Sequence, residues 1–184
     1  MDLRQLEAAL GRTGRIDALV SLLTDPAGDG PARVLAEGGT FMWEQWNPGC
    51  AVASCRGSAV NQRNSESFSH GWGSAGIDGI LESLLGVTVS SPGAATVAVT
   101  VPATGLRHAN GTEWTERGPV GVTWTRTARG FVVDVDVPVN VSATVVLPSV
   151  GSQYSAGGDG DPVATSATTF TVGSGHTHFE SVTD

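Results

Sequence analysis

The feature that most constrains the fold is a change of hydrophobic period near residue 91 of the 184-residue chain. Before it, apolar residues recur every three or four positions, as Leu3, Leu6, Leu10, Ile16, Leu19, Val20, Leu22 and Leu23 do. That spacing lines one face of a helix. Gly11 and Gly14 interrupt it, so the stretch to Thr24 reads as two short helices or one kinked helix. Asp25-Pro26 ends the pattern, because a residue preceding proline is pushed out of the helical region. A short helical piece over 32–37 follows, then a helix starting at Ser67 or Ser69 that carries Ile77, Ile80, Leu81, Leu84 and Leu85 on one face and stops at Gly86. Gly73, Gly76 and Gly79 in that helix cost roughly 1 kcal/mol each relative to Ala. Their three-residue spacing points either to close approach of another backbone or to a merely weak helix.

Beyond Ser90-Ser91-Pro92-Gly93 the period becomes two. Val97, Val99 and Val101 alternate with polar or small residues, as do Val120, Val122 and Trp124, and then Phe131, Val133, Val135 and Val137. Strands are also expected over 141–147, 168–172 and 176–180, with a polar loop over 152–165. Short strands separated by turns indicate an antiparallel β-sandwich. The expected organisation is therefore α+β, with a helical part over 1–91 and a sandwich over 92–184.

Charge removes some partner classes. Ten cations, all Arg, face eighteen acids for a net charge of −8, split evenly between the two halves. Such a surface repels nucleic acid and anionic lipid, and no apolar stretch is long enough to cross a bilayer. The amino terminus has neither a basic nor an apolar leader region. Cys50 and Cys55, six residues apart inclusive in a polar loop, are too few for a zinc site but close enough to form a local disulfide if the protein is exported. His176 and His178 alternate on the last strand and read as surface residues. No cofactor is expected.

The chemistry-bearing text is Gly38-Gly39-Thr40-Phe41-Met42-Trp43-Glu44-Gln45-Trp46 and, a loop later, Ser69-His70-Gly71-Trp72-Gly73. A carboxylate among indoles with a histidine nearby is what a sugar pocket requires, since flat rings cover sugar C–H faces and a few polar groups orient hydroxyls. The same residues also read as core tryptophans, a surface acid and a capping histidine.

These two motifs resemble the late motifs of bacterial alpha-L-rhamnosidases of glycoside hydrolase family 78. Gly118-Pro119-Val120-Gly121-Val122-Thr123-Trp124, Val137-Pro138-Val139-Asn140-Val141-Ser142 and Val172-Gly173-Ser174-Gly175 follow in the order of that family's carboxy-terminal region. The resemblance implies the last helices of an (α/α)6 toroid followed by a sandwich, and inverting release of terminal alpha-L-rhamnose from a glycoside or polysaccharide. Glu44 matches its general base and His70 a rhamnose-binding residue; Trp43, Trp46 and Trp72 match the pocket mouth. The general acid and the earlier part of the catalytic domain have no match here, so the isolated chain is expected to be inactive; Glu66 and Asp78 stand in no matching context. A parent enzyme's export signal would lie upstream, and localisation is not read from this amino terminus. The alternatives are a noncatalytic carbohydrate-binding or scaffold module and a lyase acting on rhamnose-containing polysaccharide.

Overall fold

A computed structural model describes residues 3–44, 67–74, 76–149 and 153–182. The chain divides into two compact units, Met1–Gly79 and Ile80–Asp184. In the first, helices α1 (Leu3–Arg12) and α2 (Ile16–Thr24) are separate, and Gly14 turns the chain between them at φ 69°. That conformation costs a glycine little. Asp25 is extended and its Oδ1 accepts the Ala27 N–H at 2.9 Å, so α2 stops where the following proline requires. Helix α3 (Pro31–Ala36) begins on its proline, whose missing N–H would have had no helical partner anyway. Ile16, Leu19 and Val34 are buried.

The single helix expected from Ser67 or Ser69 to Leu85 is instead three short pieces. They are a 3-10 turn (Gly71–Ser74), a one-turn helix α4 (Ile77–Ile80) and a π-helical turn (Leu81–Leu85). Ser67 caps nothing, because its hydroxyl donates to the Ser69 carbonyl and accepts the Ser69 N–H. The glycines explain the breakage. A Cβ on Gly73 would stand 2.6 Å from the Trp43 carbonyl oxygen, one on Gly76 would collide with the Glu7 carboxylate, and one on Gly79 would lie 2.9 Å from the Glu7 Cβ. Helix propensity has been given up for close packing, against a backbone at Gly73 and against the Glu7 side chain at Gly76 and Gly79.

Gly86 closes the π-helical turn at φ 81°, and the second unit begins in earnest. Its strands are β1 (Val87–Val89), β2 (Thr96–Thr100), β3 (His108–Thr115), β4 (Gly118–Thr127) and β5 (Gly130–Val137). They continue as β6 (Ser142–Val146), β7 (Gln153–Gly158), β8 (Val163–Ala164), β9 (Thr169–Val172) and β10 (Gly175–Val182). Two five-stranded sheets result, ordered β1-β2-β6-β9-β8 and β3-β4-β5-β10-β7. Alternate residues face inward: Val97 and Val99, Val120, Val122 and Trp124, Val133 and Val135, Val145, Phe170 and Phe179 form one buried core.

Three expectations need correction. Residues 80–91 pack with the sandwich, since β1 pairs with β2 and Leu85 and Val87 are in its core. The sandwich is not purely antiparallel, because β2 and β6 pair in parallel after the chain has built β3, β4 and β5 in the other sheet. The loop expected over 152–165 contains β7, held against β10, with Tyr154 buried and its hydroxyl donating to the Pro148 carbonyl at 3.0 Å. Gly and Ser make up half of β7 and Tyr154 is its one large apolar side chain, so no period-two signal marked it.

Candidate active site

Gly38 adopts φ 75° just after α3, and the Gly39 N–H returns to the Val34 carbonyl at 2.7 Å. A Cβ on Gly39 would stand 2.6 Å from Val34 Cγ1 and 3.0 Å from Trp43 Nε1, so only glycine lets the 40–44 segment fold back over the helix. That segment then meets residues 67–70. The Glu44 N–H donates to the Ser67 carbonyl at 2.8 Å and the His70 N–H to the Met42 carbonyl at 2.8 Å.

These backbone bonds place the side chains. Glu44 Oε2 accepts the Ser67 N–H at 2.9 Å and lies 3.7 Å from His70 Nδ1, with both side chains about a quarter exposed. The His70 ring lies against Trp72, ring centres 3.8 Å apart and planes inclined by 41°. Trp72 is 62% exposed and offers a ring face to solvent. Trp43 is 2% exposed, its ring edge-on to Phe68 at 5.4 Å and packed with Val34, so it stands beneath the cluster as support. Trp46, Cys50, Cys55 and Glu66 lie outside the described residues, as does the side chain of Asp78.

The structure thus brings Glu44, His70 and Trp72 together and puts Trp43 in the core. Because the Ser67 amide engages Oε2, the carboxylate is held in one orientation while Oε1 takes no hydrogen bond from the described residues. A fixed, partly exposed carboxylate beside an imidazole and an open aromatic face can bind a hydroxyl-rich ring or accept a proton from water. Sequence reasoning missed Ser67, whose amide orients the Glu44 carboxylate, and Phe68, which packs edge-on against Trp43. Gly73, whose Cα lets residues 70–74 approach Met42 and Trp43, was the available signal.

A second polar cluster lies on the outer face of the sandwich. His176 Nδ1 is 2.9 Å from Asp136 Oδ1 and His178 Nδ1 is 2.7 Å from Asp134 Oδ1. No set of three or more His, Cys, Asp or Glu among the described residues is arranged to hold a metal ion. No described helix is long and apolar enough to cross a membrane.

Residues 86–160 match the bacterial alpha-L-rhamnosidase C-terminal domain. The chain carries that rhamnosidase domain. An alpha-L-rhamnosidase from Alteromonas sp. (strain LOR) is 30% identical over 147 residues, which are 78% of this chain and 15% of that protein. The chain therefore corresponds to a small carboxy-terminal part of the rhamnosidases it resembles. Streptomyces avermitilis alpha-L-rhamnosidase, solved with L-rhamnose, superposes with a TM-score of 0.72 at 23% identity, covering 95% of this chain and 17% of that one. The Dictyoglumus thermophilum alpha-L-rhamnosidase gives 0.75 at 20% identity over 98% and 20%. That of Aspergillus terreus gives 0.67 at 25% over 94% and 18%. Glu44, His70 and Trp72 precede the range matched to the rhamnosidase C-terminal domain.

Proposed function

We propose that this chain is the carboxy-terminal segment of an inverting glycoside hydrolase that releases terminal alpha-L-rhamnose from rhamnosides, with Glu44 as general base. The helical unit is then the end of an (α/α)6 toroid whose earlier helices, together with the general acid, belong to the rest of the enzyme. Similarity to rhamnosidase structures over at least 94% of this chain supports reading both units in that context. The observation that carries the catalytic reading is the Glu44 carboxylate, pinned through Oε2 by the Ser67 amide at 2.9 Å and flanked by His70 and the exposed Trp72.

The chemistry follows from that placement. Glu44 takes a proton from water as the water oxygen bonds to the anomeric carbon on the face opposite the leaving group. The glycosidic C–O bond breaks, its electron pair passing to the leaving oxygen, which the general acid protonates. Inversion needs room for that water, so acid and base stand roughly 6.5–9.5 Å apart. His70 and Trp72 hold the sugar ring, one through a polar nitrogen and one through its face.

In the complete enzyme, Glu44→Gln preserves shape and removes the proton acceptor. Turnover should fall by roughly 10²- to 10⁴-fold with rhamnose binding retained, the usual range for loss of acid–base assistance. Azide, which needs no deprotonation, should partly restore the reaction and yield the inverted glycosyl azide. His70→Ala should weaken binding as well as rate. Near-normal turnover of Glu44→Gln would remove the catalytic assignment and leave a noncatalytic carbohydrate-binding or scaffold module, a role the self-contained sandwich core could serve.

A further inference from the structure

The β3–β4 ladder continues one step past the pair His108 and Thr125, because the Arg126 N–H donates to the Arg107 carbonyl at 2.8 Å. Arg107 and Arg126 therefore stand directly opposite one another, and opposed residues of an antiparallel pair project to the same side with Cβ atoms about 4.5–5.5 Å apart. Like charges in that relation oppose folding. Among the described residues neither arginine forms an ion pair, and the one side-chain bond of the Arg126 guanidinium is a long 3.4 Å contact to the Thr104 carbonyl.

The placement is unusual for this chain. Only four arginines follow residue 92, against eight acids, and two of the four are paired at this one point. Another, Arg117, ties two loops together, its Nε and Nη1 donating to the Gly93 and Asn140 carbonyls at 2.7 and 2.8 Å. No comparable bonds hold the Arg107 side chain among the described residues. The two opposed arginines line a cleft of about 650 Å³ together with Gly105, His108, Thr125, Thr127 and Ala128. That volume falls within the span of about 300–1,000 Å³ typical of small-ligand sites. The neighbouring opposed pair, His108 and Thr125, projects to the other face of the sheet, with His108 Nδ1 and Thr125 Oγ1 3.1 Å apart.

We infer that this cleft is an oxyanion site that takes the carboxylate or sulfate group of an acidic saccharide. Two guanidinium forks supply planar arrays of N–H donors to such a group, and charge-assisted bonds of that kind are stronger than neutral ones. One bound anion also relieves the repulsion between the arginines. A long polyanion is disfavoured by the net charge of −8, whereas a ligand with one or a few charges is admitted. The oxyanion part stands on the cleft alone; the saccharide part rests on the rhamnoside reading above.

The test is an amide NMR titration of the 184-residue chain at low ionic strength with sodium acetate, sodium sulfate, oligogalacturonate and the methyl ester of oligogalacturonate, each against chloride at matched ionic strength. Acetate, sulfate and oligogalacturonate should cause saturable shifts at Gly105, Arg107, Thr127 and Ala128, oligogalacturonate with at least tenfold higher affinity than acetate, and the neutral ester none. Arg107→Gln with Arg126→Gln should weaken binding at least tenfold, while Arg129→Gln should not. Absence of saturable shifts with all three anions, equal binding of the ester, or undiminished binding by the double variant would overturn the site. If that variant does not fold, the acid-against-ester comparison on the unaltered chain still decides. Binding of acetate and sulfate without tighter binding of oligogalacturonate would overturn the saccharide part. None of these readouts depends on Glu44, so an inert Glu44 in the hydrolysis experiment would leave the oxyanion result intact.

Discussion

Asp134 Oδ1 lies between two imidazoles, 2.7 Å from His178 Nδ1 and 3.4 Å from His176 Nε2, while Asp136 holds the other side of the His176 ring. The hydrogen bond to Asp136 raises the pKa of His176 above its ordinary value; slight burial opposes this, and the charges of Asp136, Asp134 and Asp159 add to it. A proton bound more tightly in the folded state stabilises that state fully below the unfolded pKa of about 6.5, and the contribution disappears as pH rises through the higher folded value. The melting temperature of the chain should thus exceed that of His176→Gln most near pH 5.5, and the gap should close on the alkaline side. Because His176 is half exposed, the gap should also shrink in salt. A gap that widened with pH would contradict the assignment. At the same scale, the residues around Glu44 and His70 read equally as a sugar pocket or as core tryptophans with a surface acid; the structure brings Glu44 and His70 together and buries Trp43. Spacing alone does not tell which of several neighbouring indoles faces the core.

Among the elements, the π-helical turn 81–85 is the joint that attaches the end of the helical text to the sandwich core. Leu85 is buried in that core and Leu81 packs against it. Trp124 on β4, fully buried, donates its Nε1–H to the Leu84 carbonyl at 2.7 Å. Gly86 then turns away in the left-handed region, where a Cβ would collide with the Thr100 carbonyl. Trp124→Phe leaves the Leu84 carbonyl without its donor and removes ring volume beside Phe131. We expect a loss of about 1–3 kcal/mol from the carbonyl alone, read as a lower denaturation midpoint at unchanged slope. Of the expected stripe of Ile77, Ile80, Leu81, Leu84 and Leu85, Leu85 enters the core and Leu81 packs against it, but the stripe does not lie on one continuous helix. Local period records which side chains avoid water, and does not record where a neighbouring backbone forces the helix to break.

For the whole molecule, the consequence of two compact units is a choice of fragment boundary. A fragment over 80–184 keeps β1, Leu85 and Val87, whereas one over 92–184 loses a strand of the first sheet and two core residues. The longer fragment should melt cooperatively, and the shorter should be less stable by several kcal/mol, since each fully buried aliphatic side chain contributes about 1.5–3 kcal/mol. Equal melting curves for the two would show that β1 and Leu85 contribute nothing to the sandwich. The fragment should retain the Arg107 and Arg126 cleft, because every residue lining it belongs to the second unit.

The amino-acid sequence by itself determined that helices give way to strands, the stops at Gly14, Asp25 and Gly86, and the inward rows of β2, β4 and β5. Each of these is written locally, in a period or in a residue with restricted φ and ψ. It also carried the residues of the candidate site. Tertiary structure alone decided that β2 and β6 run parallel, that the Gly- and Ser-rich β7 is a strand, that Gly76 and Gly79 yield to Glu7, and that Arg107 faces Arg126. All four depend on which distant segment becomes the neighbour. Strand order, strand formation without a periodic signal, and close approach are properties of pairs of segments, and a single segment's pattern of polar and apolar residues does not specify its partner.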